Sequence, residues 1–210
     1  MSYEQLKRIM DIFLATGLGL VFLPVSLLVA LAIQIESPGG PIMADTPPRV
    51  GKEGKLFRTF KFRSMIPNAV QYLRDNPNLF AQYKKSSFKL HDDPRVTQVG
   101  KFIRKYSLDE VPQFLNVLKG DMSVIGPRPY YADELAEQQR KYPETKDLVK
   151  QALSVRPGIT GLWQVSGRSE VHFDKRIELD AMYAQSHDLW YDLGILFKTP
   201  FVMLSGKGAV

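Results

Sequence analysis

Between residues 12 and 33 the chain runs for 22 residues without a charge, IFLATGLGLVFLPVSLLVALAI. A straight helix over this run would be roughly 33 Å long, about the thickness of a bilayer core. Three membrane arrangements fit it. Lys7 and Arg8 before the run and Ala30-Leu31-Ala32 near its end have the order of a cleaved signal peptide, although the uncharged stretch is long for one. A spanning helix is the second. A re-entrant hairpin is the third, because Pro24 near the middle removes a backbone hydrogen bond and crowds the preceding turn. Basic residues precede the run and none follows it before Arg49, which favours a cytoplasmic N-terminus and, for a spanning helix, a globular part on the far side.

The remaining pattern predicts a mostly helical domain. Residues 37–54, rich in Pro and Gly, read as loop with a short strand at 41–44. Phe60-Lys61-Phe62-Arg63 alternates with period two, which predicts a strand with both rings on one face and both cations on the other. Residues 68–85 predict a helix interrupted at Pro77, and 132–154 a second broken near Pro143. Leu108, Val111, Leu115 and Leu118 are spaced 3, 4 and 3, a helical period that stops at Lys119-Gly120. Residues 189–204 are too short and too charged to span. Trp190, Tyr191, Phe197 and Phe201 suit either an interfacial helix or a core helix there.

Composition narrows the chemistry only a little. The 210 residues are 44% hydrophobic and 24% charged, enough for a sizeable core. An excess of 28 Lys and Arg over 22 Asp and Glu suits nucleic acid, anionic lipid or phosphorylated substrates. With no cysteine, disulfides and thiolate metal sites are excluded. HDDPR at 91–95 superficially resembles a metal cluster, but the three histidines form no i,i+4 pair, and a turn before a helix cap is the expectation. Five of the twelve residues from 52 to 63 are cationic, which makes that segment either a solvated edge or a phosphate-facing one. RPGITGLWQVSGR at 156–168 is a glycine-rich loop with a cation at each end and no nucleotide fingerprint.

The acids Asp109 and Glu110 lie side by side in KYSLDEVPQF. Ser107 to Glu110 fits an S-x-x-E capping box, which is the ordinary reading of such a pair. Pro112 favours a regular helix that starts beyond the acids, so they would flank its positive N-terminal end. Neighbouring residues point about 100° apart on a helix, so these carboxylates diverge unless a shared ion draws them together.

Four stretches in order, KFRSM at 61–65, SLDEVPQ at 107–113, GDMSVIGPRP at 120–129 and RPGITGLWQ at 156–164, resemble the bacterial sugar transferase family. These are the monotopic polyprenol-phosphate phosphoglycosyl transferases. The resemblance covers nearly the whole chain, which looks like the catalytic module of the longer members. It implies an α+β fold: a mainly helical membrane-associated domain with a short β-hairpin and an N-terminal re-entrant helix. Residues 1–36 would form the membrane hairpin and 37–210 the cytoplasmic catalytic domain with interfacial helices, on the cytoplasmic face of the bacterial inner membrane. The implied activity transfers a sugar 1-phosphate from a UDP-sugar to undecaprenyl phosphate, releases UMP, and begins surface glycan synthesis. By this resemblance Asp109 is the nucleophile that carries a phosphosugar, and Glu110 holds Mg²⁺ with Asp109 beside it. Lys61, Arg63, Arg104, Arg128 and Arg156 are the candidate phosphate contacts. Membrane lipid is an expected partner, a homodimer is allowed, and nucleic acid is not expected. No motif reads a sugar hydroxyl pattern, so galactose, glucose and N-acetylhexosamine phosphates remain open. Two other classes compete: a membrane-tethered basic binding module without catalysis, and a metal-dependent phosphodiesterase or nuclease using Asp109, Glu110 and Asp121.

Overall fold

The structure, a computed structural model, describes residues 2–85, 90, 92–167 and 171–205. His91 and Arg168 of the segments discussed above lie outside these. The apolar run forms one helix, α1 (Tyr3–Glu36), which begins on a Ser2–Gln5 capping box and continues through Pro24. Proline cannot donate to Leu20, and the Ser26 hydroxyl donates to the Phe22 carbonyl at 2.8 Å, a back-bond that tends to bend helices.

α1 is bound to the domain at both ends. Near its start, Lys7 pairs with Asp192 at 2.8 Å, and Arg8 donates to the carbonyls of Val117 and Leu118. Asp11 accepts from the Ser123 hydroxyl and the Val124 amide, and Ala15 is buried in the core. These contacts make the first turns part of the fold. Near its end, Val29 and Ile33 pack with Phe62 and Ile103, and Glu36 accepts the amides of Gln98 and Val99. Residues 16–28 between these anchors are exposed or half-buried, with Leu20, Val21 and Leu28 all largely exposed. The rise from Ala15 to Val29 is about 21 Å at about 1.5 Å per residue, less than the ~30 Å bilayer core.

The β structure is small. β1 (Arg49–Val50) and β2 (Leu56–Phe57) make an antiparallel hairpin, with Arg49 opposite Phe57. β3 (Ser123–Ile125) and β4 (Gly158–Thr160) pair in parallel, with Ser123 opposite Gly158 and Ile125 opposite Thr160. The second pair corrects the reading of 156–168 as a loop: β4 is followed at once by α8 (Leu162–Val165). Its glycines serve close approach. A Cβ at Gly158 would stand 2.1 Å from the Gly126 amide nitrogen, and one at Gly161 would stand 2.0 Å from the Gly126 carbonyl oxygen.

The helices break where the prolines require. Residues 68–85 divide into α2 (Ala69–Arg74) and α3 (Pro77–Lys85). α4 (Gln98–Lys105) is capped by Thr97, and the dyad follows it before α5 (Phe114–Lys119). α6 (Ala132–Lys141) is parted from α7 (Lys146–Ala152) by a 3-10 turn at Pro143–Thr145. α9 (Phe173–Ser186) is a helix that the sequence reading did not include, though Phe173, Ile177 and Ala181 recur at four-residue intervals on its buried side. α10 (Leu189–Ser205) buries Asp192 and Ile195, while Trp190, Phe197 and Phe201 stand 82%, 72% and 75% exposed. One core gathers Ala15, Val117, Met122, Ile125, Tyr183 and Ile195 where α1, α5, β3, α9 and α10 meet. Another holds Val50, Tyr130, Val149, Phe173 and Ile177.

The period-two strand at 60–63 is not formed. Phe60 is 38% exposed and Phe62 is 4%, so the rings do not share a face, and Arg63 is buried with Phe62. The segment makes one bridge, from Phe62 to Met43, and its other backbone bonds go to the Asp109 carbonyl and the Asn116 side chain. Asn116 acts as a strand substitute, accepting the Phe60 amide and donating to the Arg58 carbonyl, both at 2.8 Å.

Candidate active site

The acids lie where three elements converge. α4 ends at Lys105, Ser107 takes a left-handed conformation at φ 55°, and residues Leu108–Gln113 form a 3-10 turn leading into α5. The expected serine cap is absent: the Ser107 side chain makes no capping bond to this turn, and the turn closes instead through its carbonyl to the Glu110 amide. The left-handed backbone redirects the chain, so Asp109 faces inward and is 3% exposed as a side chain, while Glu110 is 41% exposed. Pro112 lies inside the 3-10 turn, and the regular helix starts after it.

The extended 60–63 segment runs alongside. The Phe62 amide donates to the Asp109 carbonyl at 2.9 Å, and its ring is buried beside Ile103. That anchorage aims Lys61 at the dyad. Its ammonium stands 2.7 Å from Asp109 Oδ2 and 3.4 Å from Glu110 Oε1. Arg104, in the last turn of α4, donates through Nε to the Ser64 hydroxyl at 2.8 Å. α4 can lie this close because residue 100 is glycine: a Cβ there would stand 2.0 Å from the Ser64 carbonyl oxygen.

The acids are held in different states. Burial raises the Asp109 carboxyl above the usual aspartate value, against the pull of Lys61, and the neighbouring Glu110 adds to the rise. Burial works the same way on Glu110, but Lys61, Arg128 and Arg49 together outweigh it and hold that carboxyl below its usual value. The ammonium of Lys61, although burial opposes its charge, is kept charged by the two acids. The result is an inner carboxylate held by one lysine and an outer, ionised one facing solvent.

Not all candidate cations gather here. Lys61 touches both acids, while Arg104 acts on Asp109 and Arg128 on Glu110 through their charge, without a direct bond to either acid among the described residues. Arg63 is turned away: it is buried and donates to the Ser37 carbonyl at 2.5 Å, fastening the end of α1 to the domain. Arg156 donates to the Gly120 carbonyl at 3.1 Å and lines an open cavity of about 500 Å³ with Glu4, Gln5, Arg8 and Ile9, a lining that includes neither acid. Asp121 is turned to Lys119 and Asn116. Among the described residues no three acids or histidines are grouped to hold a metal, so the three-acid nuclease centre is not assembled. Arg49, from β1, was missed by the sequence reading, and nothing local to it signals the dyad.

The donor set fits Mg²⁺. This ion commonly uses one or two carboxylates and completes its shell with water and substrate phosphate oxygens. Glu110, ionised and partly exposed, is suited to that share, with Asp109 adjacent.

A helical α+β domain that carries an apolar N-terminal helix and a lysine-bridged Asp-Glu pair defines a class, and comparison with known proteins specifies it. Residues 2–206 match the bacterial sugar transferase family, and the chain belongs to that family. It is 45% identical over 212 residues to the undecaprenyl-phosphate galactose phosphotransferase of Salmonella typhimurium, covering 99% of this chain and 42% of the relative. It is 41% identical to the UDP-glucose:undecaprenyl-phosphate glucose-1-phosphate transferase of Escherichia coli, covering 97% of this chain and 41% of the relative. With the exopolysaccharide production protein ExoY of Rhizobium meliloti it shares 40% identity, covering 95% of this chain and 86% of that protein. The chain thus spans under half the length of the first two relatives.

Proposed function

We propose that the chain is the catalytic module of a phosphoglycosyl transferase that moves a sugar 1-phosphate from a UDP-sugar to undecaprenyl phosphate. The observation that carries this reading is the Asp109–Lys61–Glu110 cluster: a buried carboxylate 2.7 Å from an ammonium, next to a second carboxylate that stays ionised. The names of the relatives support undecaprenyl phosphate as acceptor, and galactose and glucose both occur among them.

The reaction follows as two displacements at one phosphorus. Asp109 Oδ attacks the β-phosphorus of the donor. The bond from that phosphorus to the bridging oxygen breaks, and UMP departs with the bonding electron pair. A sugar-phosphoryl ester on Asp109 remains. A phosphate oxygen of the lipid then attacks the same phosphorus, restoring the Asp109 carboxylate and giving the lipid diphosphosugar. Lys61 holds Asp109 ionised and lies beside the transferring phosphoryl group, while Arg104 and Arg128 flank it. Mg²⁺, held by Glu110 with Asp109 nearby, would supply charge neutralisation to the diphosphate.

A re-entrant position for α1 on the cytoplasmic face is part of the proposal. Both arms of the helix are bound to one globular body, with about 21 Å of helix between them, too little to carry the far arm across the bilayer core. The exposed rings of α10 and the exposed Phe102 and Leu115 suit contact with a lipid surface. The test is purified chain with Mg²⁺, a UDP-sugar and undecaprenyl phosphate, assayed for UMP. Asp109→Asn should abolish release, and mass spectrometry of the parent without acceptor should find a phosphosugar on Asp109. UMP release by Asp109→Asn at the parental rate would sink the covalent mechanism.

A further inference from the structure

Three arginines from distant parts of the chain converge on the Glu110 side of the site. Arg128, in the turn after β3, and Arg176, on α9, hold their guanidinium carbons 5.2 and 5.0 Å from the Trp163 ring. Arg49, in β1, lies 3.3 Å from the Tyr131 ring and donates to the Pro129 carbonyl at 2.9 Å. Aromatic faces hold a guanidinium in place without neutralising it. The Nε of each arginine is buried and has no hydrogen-bond partner among the described residues.

One acid, Glu134, faces all three arginines and supports the charges of Arg49 and Arg176, a single negative charge for the three cations it serves. Glu134 comes no closer to Arg128 than 4.0 Å. Asp180 is fully buried, its Oδ2 is taken by the Tyr130 hydroxyl at 2.9 Å and the Arg128 amide at 3.3 Å, and burial pushes it up to about 7. Glu110, which feels both Arg49 and Arg128, belongs to the dyad. Burial lowers both Arg49 and Arg176; Arg128 adds to the lowering in each, while Tyr131 at Arg49 and Glu134 at both work against it. Planar cations crowded in this way, with buried N–H groups unused, match a phosphate, which accepts forked and charge-assisted bonds.

We infer that Arg49, Arg128 and Arg176, seated on Tyr131 and Trp163, form a phosphate-binding platform that continues the site from Glu110 toward α9. The inference rests on the transferase reading and adds Arg49, Arg176 and Trp163 to it. Two ligands offer the required oxyanion: the diphosphate of the donor and the terminal phosphate of the lipid.

The test uses the full chain in detergent, with UDP and undecaprenyl phosphate as separate titrants and UMP release measured alongside. Arg176→Gln and Arg49→Gln, on different elements, should each weaken binding of one titrant about tenfold or more at unchanged melting temperature. Loss confined to UDP assigns the platform to the donor, loss confined to the lipid assigns it to the acceptor, and loss of both makes it shared. If Arg176→Gln fails to fold, Arg176→Lys decides, since it keeps the charge but not the flat fork, and it should show the same weakening. Parental affinity for both titrants in folded variants overturns the platform and leaves the transferase reading standing. A parent that neither binds UDP nor releases UMP overturns that reading, and the platform with it.

Discussion

Replacing Lys61 by methionine removes the ammonium that lies 2.7 Å from Asp109 and 3.4 Å from Glu110. A charge pair at 2.7 Å is worth ~6 kcal/mol at an effective dielectric of about 20, much of it offset by desolvation. Breaking such a buried pair costs about 3–5 kcal/mol when the remaining charge stays alone. Asp109 can relieve the strain by taking up a proton, and this sets the sign. Its carboxyl is already above the usual value in the parent, and loss of Lys61 raises it further. A carboxyl raised in the folded state binds more protons there than in the unfolded chain, so stability falls as pH climbs from about 4 through the folded value. Lys61→Met should therefore cost little near pH 5 and about 3 kcal/mol near pH 8, or ~10 °C in Tm for a chain of this size. The acid limb of UMP release, which needs ionised Asp109, should move to higher pH, and Lys61→Arg should return it toward the parental position. Thermal melts at both pH values and a pH–rate profile provide the check. An equal loss of Tm at both, with an unmoved acid limb, would refute the assignment of Lys61 as the counterion of Asp109.

Three further outcomes are expected. Gly158→Ala forces a Cβ within 2.1 Å of the Gly126 nitrogen and should cost about 3 kcal/mol or more, measurable as lost soluble yield or lowered Tm; Gly17→Ala, with nothing within 4 Å, serves as the neutral control. Asp192→Asn leaves Lys7 buried without its ion partner and should cost about 3–5 kcal/mol, with Lys7→Met in the double variant recovering much of the loss. Burial raises Asp180 from the ordinary value to about 7, so between about pH 4 and 7 the folded state holds the extra proton and stability falls as pH rises. Asp180→Asn should flatten that slope in a denaturant series, and an unchanged slope would mean another group carries it.

Sequence patterning served best where local physics prevails. Pro77 and Pro143 divide helices because proline lacks the donor, wherever the surrounding residues lie. Pro112 likewise pushed the regular helix beyond the acids. The failures are tertiary. Ser107 fits a capping box, yet the turn that redirects the chain toward Lys61 requires a positive φ there, and that conformation moves its hydroxyl out of the capping position. Phe60 and Phe62 alternate like strand residues, but the Phe60 amide bonds the Asn116 side chain, 56 residues away, and the Phe62 amide bonds the Asp109 carbonyl. For Arg63 and Arg156 the pattern gave no sign of the backbone carbonyls of Ser37 and Gly120 to which they donate. Arg49, Trp163 and Arg176 carry no shared local signal, because only the meeting of β1, α8 and α9 makes them neighbours.

The attachment of α1 also bears on how the chain is made. Tyr3 and Lys7 both bond Asp192, across separations of 189 and 185 residues. α1 is thus synthesised well before its partner on α10, 185 residues or more further along the chain. At about 5–20 residues per second the interval is about 10–40 s. Throughout it the exposed side chains of Phe13, Leu20 and Val21 must be sheltered elsewhere, and a lipid surface is the shelter suited to them. Long sequence separation also makes this contact slow to form, so α10 acts as the closing clasp of the fold.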